Sequence, residues 1–232
     1  MVYTAKPTTT EEYIMSIRID DIAPDFTVDS TAGKINLHDW IGDSYAILFS
    51  HPKDFTPVCT TEFGAVAQLA PEFTKRKTKV MGISVDNVEE HLKWKRDIEA
   101  FSGSPADFPI IDDTSLTVSK LYDMLPAGAY LSDNRTPANS ATVRTVFIIG
   151  PDKKVRLTMS YPMSVGRNFA EILRALDAIQ ITDGAPIATP ANWVPGQDVI
   201  VGLSLNDEQA KEKFGALDVK LPYLRLTKAP TN

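Results

Sequence analysis

Only one of the 232 residues is a cysteine, Cys59. A lone thiol cannot form a disulfide within its own chain, which excludes a disulfide-stapled secreted scaffold and the paired-thiol chemistry of a C-x-x-C motif. Histidine is nearly as scarce. His38, His51 and His91 share no compact ligand spacing with one another or with Cys59, so no metal and no other cofactor is expected. Positive charge is also in deficit, with 24 lysines and arginines against 30 aspartates and glutamates. The resulting net charge of −6 argues against a nucleic-acid partner. Apolar runs such as Tyr45-Ala46-Ile47-Leu48-Phe49 fall far short of the roughly 18 residues that a membrane-spanning helix needs. The start of the chain has neither a continuous apolar leader nor an Arg-rich, acid-poor presequence, and a cytoplasmic protein is the expectation.

What is present is an ordinary globular composition, 43% hydrophobic and 23% charged. The length suits one main core of about 150–200 residues with a smaller appendage. Residues 1–18 are threonine-rich and weakly patterned and read as an N-terminal extension, with Met15 a second candidate start. Apolar, β-branched runs at 46–50, 80–85 and 143–149 predict buried strands. Alternation along 155–161 predicts a fourth, antiparallel to its neighbour across the turn Gly150-Pro151-Asp152-Lys153-Lys154. Helical patterns cover 60–73, 88–101, 116–124 and 168–179, the last with Phe169, Ile172, Leu173, Leu176 and Ile179 on one face. These elements predict an α/β class, a central mixed β-sheet flanked by helices over residues 19–180. A small C-terminal domain is expected over 181–232, where only 206–214 reads as a helix.

Cys59 follows a strand and a proline-containing loop and stands at the start of the first long helical pattern. The unbonded amides and positive dipole end of a helix N-terminus favour an anion, and an ordinary cysteine is only about 3% thiolate at pH 7. Free cysteines are also often inert core residues, so position alone leaves the choice open. Thr56 lies one turn earlier, where its hydroxyl can face the sulfur or cap the helix. Pro52 and Pro57 restrict the loop and remove two N–H donors.

The spacing Pro52-x-x-x-Thr56-x-x-Cys59 resembles the peroxiredoxin active-site motif. The longer run from His51 through Glu62 is similar to the one-cysteine branch of that family. Similarity continues through Val143-Arg144-Thr145, Tyr161-Pro162, Gly166-Arg167-Asn168-Phe169 and Ala188-Thr189-Pro190-Ala191-Asn192-Trp193. The resemblance implies a thioredoxin-like fold and a thiol peroxidase whose attacking sulfur is Cys59. Pro52, Thr56 and Arg144 would complete the pocket, and the amides near Val58 and Cys59 would help hold the substrate. Glu62 and Arg167 are expected to orient the arginine, against plainer roles as helix-end charges. His51 is expected near the sulfur or in a structural role. The implied substrates are hydrogen peroxide and organic hydroperoxides, phospholipid hydroperoxides among them. No second cysteine can resolve the sulfenic acid, so the implied partner is an external thiol such as glutathione or another redox protein, and the implied assembly a homodimer or larger homo-oligomer.

Two other readings compete. Gly42-Asp43-Ser44-Tyr45-Ala46 resembles a lipase elbow, with His38 and Asp152 as partners, but Ala46 replaces the last glycine and Ser44 precedes a strand where the elbow follows one. Alternatively, peroxide switches the assembly of a chaperone instead of being turned over.

Overall fold

A computed structural model describes residues 17–129, 136 and 139–230. The proposed second start at Met15 and nearly all of the expected extension lie outside the described residues. Seven strands, β1 (Thr27–Ser30), β2 (Gly33–Asn36), β3 (Tyr45–Ser50), β4 (Thr78–Ser84), β5 (Ile110–Asp112), β6 (Arg144–Ile149) and β7 (Val155–Tyr161), form one sheet in the order β2-β1-β5-β4-β3-β6-β7. The β3–β4 and β4–β5 pairs are parallel, whereas β6 runs antiparallel to both β3 and β7. The sheet is therefore mixed, as expected.

Central strands bury both faces, which is why β3, β4 and β6 read as continuous apolar runs. Ile47, Phe49, Val80, Val146 and Ile148 face one core, and Ala46, Leu48, Met81, Ile83, Phe147 and Ile149 face the other. The first core is covered by α2 (Pro57–Lys75), α3 (Val88–Ser102) and α5 (Phe169–Asp183), which contribute Phe63, Trp94 and Leu176 among others. The second is covered by α1 (Leu37–Ile41) and α4 (Thr117–Leu121). Helices on both faces of this mixed sheet give the thioredoxin-like fold that the resemblance implied. No helix among the described residues is long and apolar enough to cross a membrane.

Several elements depart from the sequence expectation. α2 starts three residues early because Pro57 occupies its first position, where a missing N–H costs nothing. The helix expected over 116–124 shrinks to α4, bracketed by the left-handed Leu116 (φ 61°) and Asp123 (φ 51°). The C-terminal part contains, besides α6 (Asp207–Phe214), a second sheet of β8 (Ile187–Ala188), β9 (Val199–Val201), β10 (Asp218–Leu221) and β11 (Leu224–Thr227), ordered β10-β11-β9-β8.

Gly82 of β4 lets sheet and helix approach closely, since a Cβ there would lie 2.7 Å from the Phe63 ring of α2. Gly82→Ala is expected to lower unfolding free energy in a urea titration by about 1–3 kcal/mol, the usual cost of overpacking a filled core.

Candidate active site

The loop from the end of β3 to α2 carries most of the residues singled out from sequence. Its shape is set by backbone anchors. His51 N–H donates to the Ile83 carbonyl (2.9 Å), and the Thr142 hydroxyl donates to the His51 carbonyl (2.8 Å). Phe55 adopts φ 55°, a left-handed conformation that costs a non-glycine residue on the order of 1–3 kcal/mol and persists only under constraint. Pro52 is buried and Pro57 exposed.

Cys59 stands third in α2 and is fully buried. The first bond within the helix runs from Thr60 N–H to the Thr56 carbonyl (3.0 Å), so the Val58 and Cys59 amides belong to the unbonded first turn that favours an anion. Thr56 is the N-cap residue, yet its side chain makes no capping bond. Its hydroxyl donates instead to the Lys53 carbonyl (2.9 Å). With its proton thus committed, the Thr56 oxygen offers lone pairs to an incoming O–H.

The antiparallel register that pairs Phe49 with Val146 brings the start of β6 level with the end of β3, and hence with the start of α2. Arg144 heads β6. Its Nη1 donates to Cys59 Sγ (3.4 Å) and to Glu62 Oε2 (2.7 Å), while Nε donates to the Met163 carbonyl (2.8 Å). Glu62, one helical turn after Cys59, also binds Arg167: Oε1 accepts its backbone N–H (2.8 Å) and Nε (2.9 Å), and Oε2 accepts Nη2 (2.6 Å). Arg167 Nη1 donates to the Ser50 carbonyl (2.8 Å), and the guanidinium lies 5.0 Å from the Phe49 ring centre. The structure therefore joins Cys59, Arg144, Glu62 and Arg167, and the plainer reading of Glu62 and Arg167 as helix-end charges fails because both are buried against each other.

Burial would raise the Glu62 carboxyl pKa, but bonding and charge from Arg167, aided by Arg144, hold it below its ordinary value. Burial pulls the Arg167 guanidinium down, opposed chiefly by Glu62. Two cations and one carboxylate leave a surplus positive charge beside the sulfur, which a thiolate neutralises.

His51 does not bond to the sulfur. Its Nε2 bonds Asp54 Oδ1 (2.7 Å), and its ring stacks on Trp94 at 4.9 Å between centres. Burial pushes its pKa down against the pull of Asp54. The other Asp54 oxygen bonds His91 Nδ1 (2.6 Å). Asp54 and His91 were not singled out from sequence; the spacing His51-x-x-Asp54 was visible, but the approach of His91 from α3 was not. Among the described residues, His51, Asp54 and His91 are the one grouping of metal-ligand types found close together, and their facing atoms are already hydrogen-bonded to each other.

The lipase-like grouping is not assembled. Ser44 lies in the turn before β3, His38 Nε2 bonds the Ala23 carbonyl (2.7 Å), and Asp152 binds Arg156 (3.0 Å).

Comparison with known proteins follows the same lines. The AhpC/TSA family model matches residues 19–158, and the model for the C-terminal domain of 1-Cys peroxiredoxin matches residues 178–216. The mitochondrial peroxiredoxin of Saccharomyces cerevisiae is 50% identical over 92% of this chain and 81% of its own. A mutant peroxiredoxin 6 of Arenicola marina superposes with a TM-score of 0.87 at 43% identity, over 94% of this chain and 100% of its own. The yeast mitochondrial 1-Cys peroxiredoxin, whose thiol is resolved via glutathione/thioredoxin systems, superposes at 0.84 with 50% identity, over 91% and 99%.

A carboxyl whose pKa is lowered by folding stabilises the fold fully above its ordinary value of 4.5 and loses that contribution as pH falls below it. Glu62→Gln should lower stability at pH 7 by about 3–5 kcal/mol, because two buried arginines lose their counter-charge. The variant's stability should then fall less steeply than the wild type's on acidification below pH 4.5, measured by urea unfolding at a series of pH values.

Proposed function

Because the chain belongs to the one-cysteine peroxiredoxins of the AhpC/TSA family, it is a thiol-dependent peroxidase, and we propose that Cys59 is its attacking sulfur, activated by Arg144. The observation that carries these roles is the 3.4 Å approach of Arg144 Nη1 to Cys59 Sγ at the start of α2. The thiolate attacks the terminal oxygen of ROOH. An S–O bond forms, the O–O bond breaks, and the electron pair leaves with RO⁻, which takes up a proton and departs as alcohol or water. The Arg144 guanidinium opposes the negative charge spreading over sulfur and oxygen. Thr56 accepts the hydroperoxide O–H, and the Val58 and Cys59 amides face the oxygens. Pro52 shields the sulfur without offering it a competing donor.

Cys59 ends as a sulfenic acid, oxidised by two electrons. As the only cysteine in the chain, it is returned by an external thiol: one R′SH forms a mixed disulfide and releases water, and a second frees Cys59 as R′SSR′ departs. Glutathione or a thioredoxin-type protein fits this need, as described for the yeast relative. Organic as well as hydrogen peroxides are part of the proposal, because attack requires only the peroxide bond. Phospholipid hydroperoxides fall within it on the same ground. A homodimer is also included, since β7 is the outermost strand of its sheet and an open strand edge is a template for pairing.

Stopped-flow reaction with hydrogen peroxide, followed by intact mass, is expected to add one oxygen atom to the wild type and none to Cys59→Ser. Arg144→Ala should slow the reaction about 10²–10³-fold, the range for losing one charge-stabilising donor. An unreactive wild-type thiol would end the assignment of Cys59, and holdase activity surviving Cys59→Ser without peroxide turnover would favour the chaperone reading. Sedimentation at micromolar concentration should show a dimer or larger species, and a monomer would remove assembly from the proposal.

A further inference from the structure

Peroxide chemistry at Cys59 leaves the buried Asp54, in the same loop as Pro52 and Thr56, without a task. Asp54 has 1% exposure and its two histidine partners have none. The second nitrogen of His91, Nε2, lies 2.9 Å from the Ile111 carbonyl, so both of its ring nitrogens face oxygen acceptors. A neutral imidazole has one N–H and would leave one of these contacts lone pair against lone pair. Both His91 contacts are hydrogen bonds only with the ring doubly protonated as the ion-pair partner of the Asp54 carboxylate, while His51 Nδ1 in the same cluster is buried without a partner. Such a pair in a dry interior gains little over apolar side chains of the same size, so stability is a poor reason for it.

What the pair holds is the loop bearing Pro52 and Thr56. Asp54 N–H donates to Asp86 Oδ2 (2.8 Å), which also accepts from the Ser84 hydroxyl (2.9 Å). Asp54 is thereby tied to β3 through His51, to the end of β4 through Ser84 and Asp86, and to α3 and β5 through His91. The next residue is Phe55 at φ 55°, and the one after it is Thr56.

We propose that Asp54 and His91 are positioning residues of the peroxidase: by clamping His51 and holding Phe55 in the left-handed region, they fix where the Thr56 hydroxyl meets the hydroperoxide. This rests on the peroxidase reading of Cys59. The clamp acts on placement of the peroxide and leaves Arg144 and the helix start, which favour the thiolate, untouched.

The test compares two rates across the pH range in which the thiol titrates: oxidation of Cys59 by hydrogen peroxide, and alkylation of Cys59 by iodoacetamide, which needs the thiolate but not Thr56. Asp54→Ala should slow oxidation about 10–100-fold, as expected when a reacting group is displaced by about 1 Å, with the alkylation profile unchanged. Adding Thr56→Val to Asp54→Ala should leave oxidation no slower than in Thr56→Val alone, because both changes act through one hydroxyl. Asp54→Asn still accepts from His51 and can donate to a neutral His91, so it should restore oxidation to within about threefold of the wild type. If Asp54→Ala does not fold, His91→Ala carries the same expectations. Multiplying losses in the double variant, parallel loss of alkylation, or an Asp54→Asn as slow as Asp54→Ala would overturn the proposal. So would a stoichiometric metal ion in the wild type that Asp54→Asn loses. A wild type that peroxide does not oxidise would instead overturn the underlying assignment of Cys59.

Discussion

The environment of Cys59 depends on the carboxylate of Glu62. Among the described residues it is the one side chain hydrogen-bonded to both Arg144 and Arg167, and it is so from the same helix that carries the cysteine. Without it two buried guanidinium groups would face each other uncompensated, a more severe electrostatic problem than any single unpaired ion. With it, each arginine is left with a surplus donor. Arg144 turns one toward the sulfur, and Arg167 turns one toward the carbonyl that ends β3. One carboxylate thus fixes the surroundings of the Cys59 sulfur and the seam between strand and helix.

The rest of the fold brings this carboxylate and its partners to one place. β3 ends, α2 begins and β6 begins at the same edge of the sheet, so a cysteine on a helix, a threonine on a loop and an arginine on a strand converge within one helical turn. The aromatic packing beneath them, Phe49 on Phe63 and Phe63 on Trp94, keeps that edge dry. A dry edge strengthens each charge–charge contact in the site.

Much of this was legible in the sequence because the informative signals are local. Central strands buried on two faces wrote continuous apolar runs, and β7 at the sheet's edge wrote an alternation. The motif around Cys59 announced the site, and Arg144 fell within a second matching segment. The missing pieces fail locality in one of two ways. The strands of the C-terminal sheet are two to four residues long, shorter than any period can declare itself. The Asp54–His91 bond joins residues 37 apart, and neither residue type forecasts the other. Thr56 shows a third limit, since its capping role was reasonable by position and only the Lys53 carbonyl, brought round by the loop, shows that its proton goes elsewhere.

The distances along the chain have a consequence for biosynthesis. Glu62 meets Arg144 across 82 residues and Arg167 across 105. A ribosome adding about 5–20 residues per second needs several seconds to cover that interval, during which Cys59 has already been made but its arginines have not. The nascent protein therefore carries a thiol without the buried charges that surround it in the folded state. The charge cluster around this sulfur is therefore complete only once the closing segment of the sheet and the turn that follows it have been made.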